Sequence, residues 1–68
     1  MNLVKFFGSY VKVLCTDGRV LIGEVTEFFY GNENENGQQS IVLDCPSFDE
    51  EIELYEDDVE DIEIYSRI

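Results

Sequence analysis

Val11-Lys-Val-Leu-Cys-Thr-Asp-Gly-Arg-Val-Leu-Ile-Gly-Glu-Val-Thr-Glu-Phe-Phe29 is the stretch whose reading decides the fold. Two β-rich runs flank Thr16-Asp17-Gly18-Arg19. Asp-Gly between apolar runs is a hairpin signal, because the glycine accepts positive φ. Asp17 and Gly18 are therefore expected to be structural residues of a turn. A third structural residue is Gly23, inside the second run. An interior glycine weakens a strand, so it marks a sharp bend or a close approach of backbone. Leu21, Gly23 and Val25 share one face, yet the next core candidate, Phe28, comes three residues later. That slip in a period of two implies a bulge or bend between Val25 and Phe28. Bend and slip together curl the strand, which is how a short sheet closes on itself.

On the N-terminal side, Asn2 is expected to cap a short helix through Leu3, Val4, Phe6 and Phe7, ended by Gly8. A segment so short cannot stand alone and must rest its apolar residues on the sheet. The first strand, Tyr10 to Cys15, sets Val11, Val13 and Cys15 on one face and Tyr10, Lys12 and Leu14 on the other. Residues 31–39 carry no apolar side chain and read as a solvent loop with a turn at Asn36-Gly37. Ser40 to Cys45 resumes with Ile41 and Leu43 on one face and Val42 on the other, and Pro46 stops it. Ser47-Phe48-Asp49 connects to Glu50–Tyr55, where Ile52 and Leu54 alternate with Glu51, Glu53 and Tyr55. Glu56-Asp57-Asp58 reads as a tight turn of 3₁₀ type that seats Val59, and Ile62 and Ile64 then alternate with Asp61, Glu63 and Tyr65. The expectation is an all-β chain: one domain spanning 1–68, a strongly bent five-stranded antiparallel small barrel with a short N-terminal helix.

Composition narrows the function classes. The chain has 68 residues, 44% of them hydrophobic, with five Phe and four Tyr to fill a core. A domain of this size buries only about 60% of its unfolded surface, so partner subunits are a natural source of further stability. Four Lys and Arg stand against sixteen Asp and Glu, for a formal net charge of -12. Such a field repels polyanions and anionic membrane surfaces, which disfavours RNA and membranes as partners. A basic protein partner, cation binding or mimicry of a nucleic acid are the specific uses of that charge; a solvated surface is the plain one. Cys15 and Cys45 are too few for a disulfide framework, and without His or a CxxC pair no zinc site is expected. The N-terminus does not read as a signal peptide, and nothing approaches a membrane span, so a reduced cytoplasmic protein with two buried thiols is expected.

Chemistry-bearing constellations are sparse. No His is present and no Ser or Cys stands beside a plausible base, so a nucleophilic triad has no parts and no enzyme is expected. Carboxylate pairs are too abundant for any one to be singled out. Asn32-x-Asn34-x-Asn36-Gly37 has the spacing of the first half of an EF-hand loop, but its first three ligands are neutral amides and its twelfth position is Leu43. Neither a metal nor a cofactor is expected there. Asp49-Glu50-Glu51 and Glu56-Asp57-Asp58 are the better candidates for an acidic surface or a hard cation. Phe29, Tyr30, Asn32 and Tyr55 are the candidate binding residues, since Phe29 and Tyr30 adjoin the polar loop and could stack on a base. Lys5, Lys12, Arg19 and Arg67 are scattered and supply no basic patch.

Val11, Val13, Asp17-Gly18-Arg19, Leu21, Gly23, Val25 and Phe28 together resemble the first motif of the Sm-like family. The resemblance implies a short N-terminal helix followed by a strongly bent five-stranded barrel, an SH3-like architecture, with Ile52 to Ile64 in the place of the second motif. It also implies rings that bind RNA around a central pore. The RNA-binding residues of the family do not carry over. Family members usually follow the aromatic with Asp and, a little later, Asn; here Phe29 takes the Asp place and the polar loop offers no counterpart for the Asn. The second motif usually has Arg or Lys followed by Gly, where Tyr55-Glu56 stands. Family rings pair the fourth strand of one subunit with the fifth of the next, and here those strands carry Glu51, Glu53, Asp61 and Glu63. Like charges facing across strands destabilise such pairing. Leu14, Val20, Ile22 and Phe29 on outer faces favour some homo-oligomer, a ring being one form of it. The leading expectation is thus an Sm-like interaction or assembly module that does not bind RNA in the usual way. The alternatives are an RNA-binding ring and an acidic nucleic-acid mimic that occupies a basic protein.

Overall fold

A computed structural model describes residues 2–46 and 49–65. A 3₁₀ turn at Leu3–Phe6 leads into strands β1 (Tyr10–Cys15) and β2 (Val20–Phe29). A second 3₁₀ turn at Gly31–Glu33 precedes β3 (Ser40–Cys45) and β4 (Glu50–Tyr55). A third, Glu56–Asp58, turns the chain into β5 (Val59–Ile64). The strands form one antiparallel sheet in the order β4-β3-β2-β1-β5.

The quoted stretch forms the hairpin at the centre of that sheet. Gly18 has φ +95, its N–H donates to Cys15 O at 2.9 Å, and the Cys15 N–H donates to Arg19 O at 2.8 Å. A turn closed this way requires a residue tolerant of positive φ at its last position. Asp17 holds the turn from outside: its Oδ1 accepts the Arg19 N–H at 3.0 Å, and its Oδ2 accepts from Arg19 Nε at 2.8 Å. Along β2 the close approach falls at Gly23, which pairs with Val11 of β1. A Cβ there would run into the main-chain carbonyl oxygen of Asp44 and lie 2.9 Å from its carbonyl carbon. Two residues further on, the β2–β3 register shifts between Val25 and Glu27. That bulge carries Phe28 back to the core side, opposite Ile41.

The core follows from the alternation. Val11, Val13 and Cys15 of β1, Leu21 and Val25 of β2, Ile41, Leu43 and Cys45 of β3, Leu54 of β4 and Val59 of β5 are all buried. Leu3 and Phe6 cover one end of the sheet, with Phe28, Ile52 and Ile62 partly buried around them.

Three expectations change. The N-terminal helix is a single 3₁₀ turn, and Asn2 makes no side-chain cap to it. The Leu3 N–H is instead taken by Gln39 Oε1 at 3.1 Å, and Val4 and Phe7 face outward. The sheet bends but does not close into a barrel: among the described residues β4 and β5 remain its two edges, linked through the Glu56–Asp58 turn. Ile64 lies opposite the fully buried Val11 yet is 62% exposed, because among the described residues no further strand covers that side of β5. The Ser47-Phe48 connection and Arg67 lie outside the described residues.

Candidate interaction surface

Four groups of side chains compete for a functional role, and the topology sets each in place. The first lies where the 31–39 loop meets the 56–58 turn. Both 3₁₀ turns that frame it use one device, a tyrosine followed three residues later by an acid. Glu33 Oε1 accepts the Tyr30 N–H at 2.8 Å, and Asp58 Oδ2 accepts the Tyr55 N–H at 3.0 Å. The two turns are then clasped together. Gln38 Nε2 donates to Asp57 Oδ2 at 2.8 Å, and its Oε1 accepts the Asp57 N–H at 3.1 Å. Gln39 O accepts the Glu56 N–H at 3.1 Å, and Gln39 Nε2 donates to Glu56 Oε2 at 3.3 Å.

Of the four candidate binding residues, two meet on one face. Phe29 and Tyr55 each stand opposite Ser40, one on either side of it. Tyr30 turns its ring to Phe28 instead, edge-on, with centroids 4.9 Å apart. Both of those rings line a cleft of about 390 Å³ with Val4, Gln39 and Glu56. Asn32 sits exposed on the second 3₁₀ turn. The described cations stand in company of their own. Lys5 Nζ lies over the Phe6 ring at 5.3 Å, Arg19 pairs with Asp17, and Lys12 faces Ile22 and Glu63 across the sheet.

The amides of the 31–39 loop build the loop rather than a cation site. Asn34 Nδ2 donates to Gln38 O at 2.7 Å and to Ser40 Oγ at 3.0 Å, while Asn36 Oδ1 accepts the Gln38 N–H at 3.0 Å. Ser40 is fully buried, and its hydroxyl donates a hydrogen bond to Glu53 Oε2 at 2.9 Å. This relay ties loop, β3 and β4 together.

The second group is acidic. Asp49, Glu50 and Glu51 lie at the start of β4 and Glu56, Asp57 and Asp58 beyond its end, so the two clusters are separated by the length of the strand. Asp49 has φ +52, a left-handed conformation that Asp tolerates. Among the described residues no group of three acidic or thiol side chains is arranged to hold a metal ion. A third acidic group was not legible from spacing. Glu24, Asp44 and Glu51 line up directly across β2, β3 and β4, and Glu27 and Glu53 flank Val42 in the same way. Cross-strand neighbours on one face lie about 5 Å apart, where like charges oppose one another. Only the register, with its bulge at Val25/Glu27, brings these five carboxylates onto one face.

Two thiols make the third group. Cys15 and Cys45 are both free and buried. Burial is the main cause that pushes each thiol's pKa up; neighbouring carboxylates add to it, while at Cys15 the Arg19 guanidinium works the other way. They are held as neutral, unreactive thiols. Asp17, by contrast, is held below the usual carboxylate range, first by the Arg19 main-chain N–H and then by the Arg19 side chain.

The fourth group is the pair of sheet edges. The Tyr65 N–H donates to Tyr10 O at 2.9 Å, which fixes which β5 residues face β1. Hydrogen-bonded and non-bonded pairs alternate along an antiparallel ladder. Asp61 and Glu63, opposite Leu14 and Lys12, therefore bond to β1, while Ile62 and Ile64 turn their N–H and C=O groups outward. On β4 the Glu56-to-Gln39 bond sets the same logic, so Glu51 and Glu53 present the free backbone groups. Beside β5 the outer face has a shallow cleft of about 230 Å³, lined by Lys12, Leu14, Val20, Asp61 and Glu63.

The class these features define is a small all-β domain: one bent, open, five-stranded antiparallel sheet with an acidic outer face and two unequal edges. No family model, no curated protein and no solved structure matches the chain. No helix among the described residues is long and apolar enough to cross a membrane.

Proposed function

We propose that the chain is a small, non-enzymatic interaction or assembly module of the Sm-like kind that does not bind RNA in that family's usual way. What supports the reading is five antiparallel strands around a central bent hairpin, which the motif at Val11–Phe28 implies. One observation carries the rest of the reading. At the junction where the resemblance would bring Asp, Asn and a basic residue together, the chain places Phe29, Tyr55 and the clasp of Gln38 and Gln39 on Asp57 and Glu56. Carboxylates stand there, and they repel a phosphate backbone.

Homo-association is part of the proposal. Leu14 and Val20 face each other on the outer side of the β1–β2 hairpin, and Val20 is 49% exposed. The two buried free thiols suit a reducing, cytoplasmic setting. The test has two arms. Light scattering over a concentration series, with and without a divalent cation, should give a mass above that of the monomer. Titration with single-stranded RNA at low salt should give no tight, salt-sensitive binding. Tight binding that is lost in Phe29→Ala would favour the RNA-binding ring instead. The five carboxylates on the β2–β3–β4 face support a further reading, mimicry of a nucleic acid for a basic protein. Partners indifferent to salt would end that one.

A further inference from the structure

We infer that the free edge of β5 is a docking site for an extended strand of another protein, one that alternates Lys or Arg with Val, Ile or Leu. This rests on the reading of the chain as an interaction module and names the surface and the partner's chemistry.

Main-chain groups come first. Ile62 and Ile64 turn their N–H and C=O groups away from β1, and among the described residues no strand pairs with them. An unpaired strand edge is a template for strand addition. The side chains of the same two residues lie on the core side of the sheet, opposite Val13 and Val11. Those partners are fully buried, whereas Ile62 is only partly covered and Ile64 is 62% exposed. A strand added at this edge would place every second side chain beside Ile62 and Ile64, so those side chains should be apolar. The β-branched residues suit that position best.

Its alternate side chains would emerge on the outer face beside Asp61 and Glu63. The cleft there has Leu14 and Val20 among its walls. A Lys or Arg can lay its aliphatic stem on such walls and hold its charge at the two carboxylates. Lys12 shares the cleft and stands opposite Glu63, which leaves Asp61, opposite Leu14, as the stronger anchor for an incoming cation.

Charge decides between this partner and a second copy of the chain. β4 of another copy bonds outward through Glu51 and Glu53, so antiparallel pairing would set those acids beside Ile62 and Ile64, and parallel pairing would set them against Asp61 and Glu63. β5 of another copy brings the same acids back. Each arrangement thus sets carboxylates against apolar side chains or against other carboxylates at the seam itself. A basic strand meets neither obstacle.

The probe is a synthetic octapeptide alternating Val and Lys, with a Val and Glu octapeptide as control, added to the isotope-labelled full chain. The proposal expects the basic peptide to shift the amide resonances of Ile62 and Ile64 and to slow their hydrogen exchange at least tenfold. Affinity should fall with salt, and the Val and Glu peptide should have no effect. The paired substitution D61K/E63K, on exposed positions, should weaken binding at least tenfold. Ile64→Lys should also weaken it, and its amide spectrum shows directly whether it is folded. Shifts confined to Glu51 and Glu53 would overturn the β5 assignment but leave an interaction module standing. Equal binding of the two peptides, or none, would overturn the partner chemistry. Protection of Ile62 and Ile64 in the free protein, rising with its own concentration, would make a second copy the occupant. Tight RNA binding would instead remove the functional reading on which the inference rests.

Discussion

The two edges of this sheet are built to different standards. Along β4, Leu54 is 1% exposed, Ile52 packs on the core, and the Tyr55 N–H is satisfied by Asp58. Its free backbone groups belong to Glu51 and Glu53, charged residues of the kind that blunt an edge against pairing. Along β5 the free backbone groups belong to Ile62 and Ile64, and the apolar side chains behind them are progressively uncovered toward the end of the strand. The chain thus protects one edge and leaves the other sticky on its inner side and acidic on its outer side. As the proposed docking site, such an edge would discriminate: its apolar face would reward any strand, and its acidic face would favour one that brings positive charge.

The largest effect should come from the close approach in the central strand between these edges. Gly23→Ala would drive a Cβ into the main chain at Asp44, a contact that no side-chain movement relieves. The cost should be on the order of 3 kcal/mol. A domain of this length has a total stability of roughly 3 to 10 kcal/mol, so circular dichroism should find the variant largely unfolded or melting far below the parent.

Truncation sharpens the comparison of the edges themselves. Leu54→Ala on β4 should cost about 3 kcal/mol, as a fully buried leucine does. Ile64→Ala on β5 should cost less than about 0.5 kcal/mol, as an exposed position does. Equal costs in urea unfolding would mean that β5 is covered after all.

Ser40→Ala comes next. It removes the hydroxyl that accepts from Asn34 and donates to Glu53, and leaves both partly unsatisfied at about 1 to 2 kcal/mol. The loss should be accompanied by faster amide exchange in the 31–39 loop, with the β1–β5 ladder unaffected.

Asp44→Asn should have the smallest effect and the opposite sign. It takes the central charge from the row of Glu24, Asp44 and Glu51, so it should stabilise by about 0.5 kcal/mol at low salt. The gain should fade at high ionic strength, where the row is screened in the parent as well. Thermal melts of both proteins across a salt series check it.

How much of this was legible in the sequence follows from where the signals were local. The Asp17-Gly18 turn, Gly23 and the slip before Phe28 are encoded within a few residues of one another. β1, β3 and β4 alternate cleanly, so their bounds and inward faces could be read directly. Closure could not, because it depends on whether β4 and β5 meet, a relation between segments that no local period reports. For the same reason the exposure of Ile64 could not be read: it shares parity with Ile62 and stands opposite the buried Val11, yet is itself 62% exposed. The candidate site was only partly visible. Phe29 and Tyr55 come together because both flank Ser40, and the acidic row needs the bulged register. The polar 31–39 stretch read as a plain solvent loop, yet its amides and Glu33 fold it back on itself and Gln38 clasps it to Asp57. The one signal missed was short, a tyrosine three residues before an acid at both Tyr30 and Tyr55.

Amide hydrogen exchange along β5 of the free protein tests the central claim most directly. An open edge predicts that the Ile62 and Ile64 amides exchange quickly while those of Asp61 and Glu63, bonded to β1, are protected, at dilute and at high protein concentration alike. Protection of Ile62 and Ile64 equal to that of their neighbours would contradict it, and would mean that the edge is already paired.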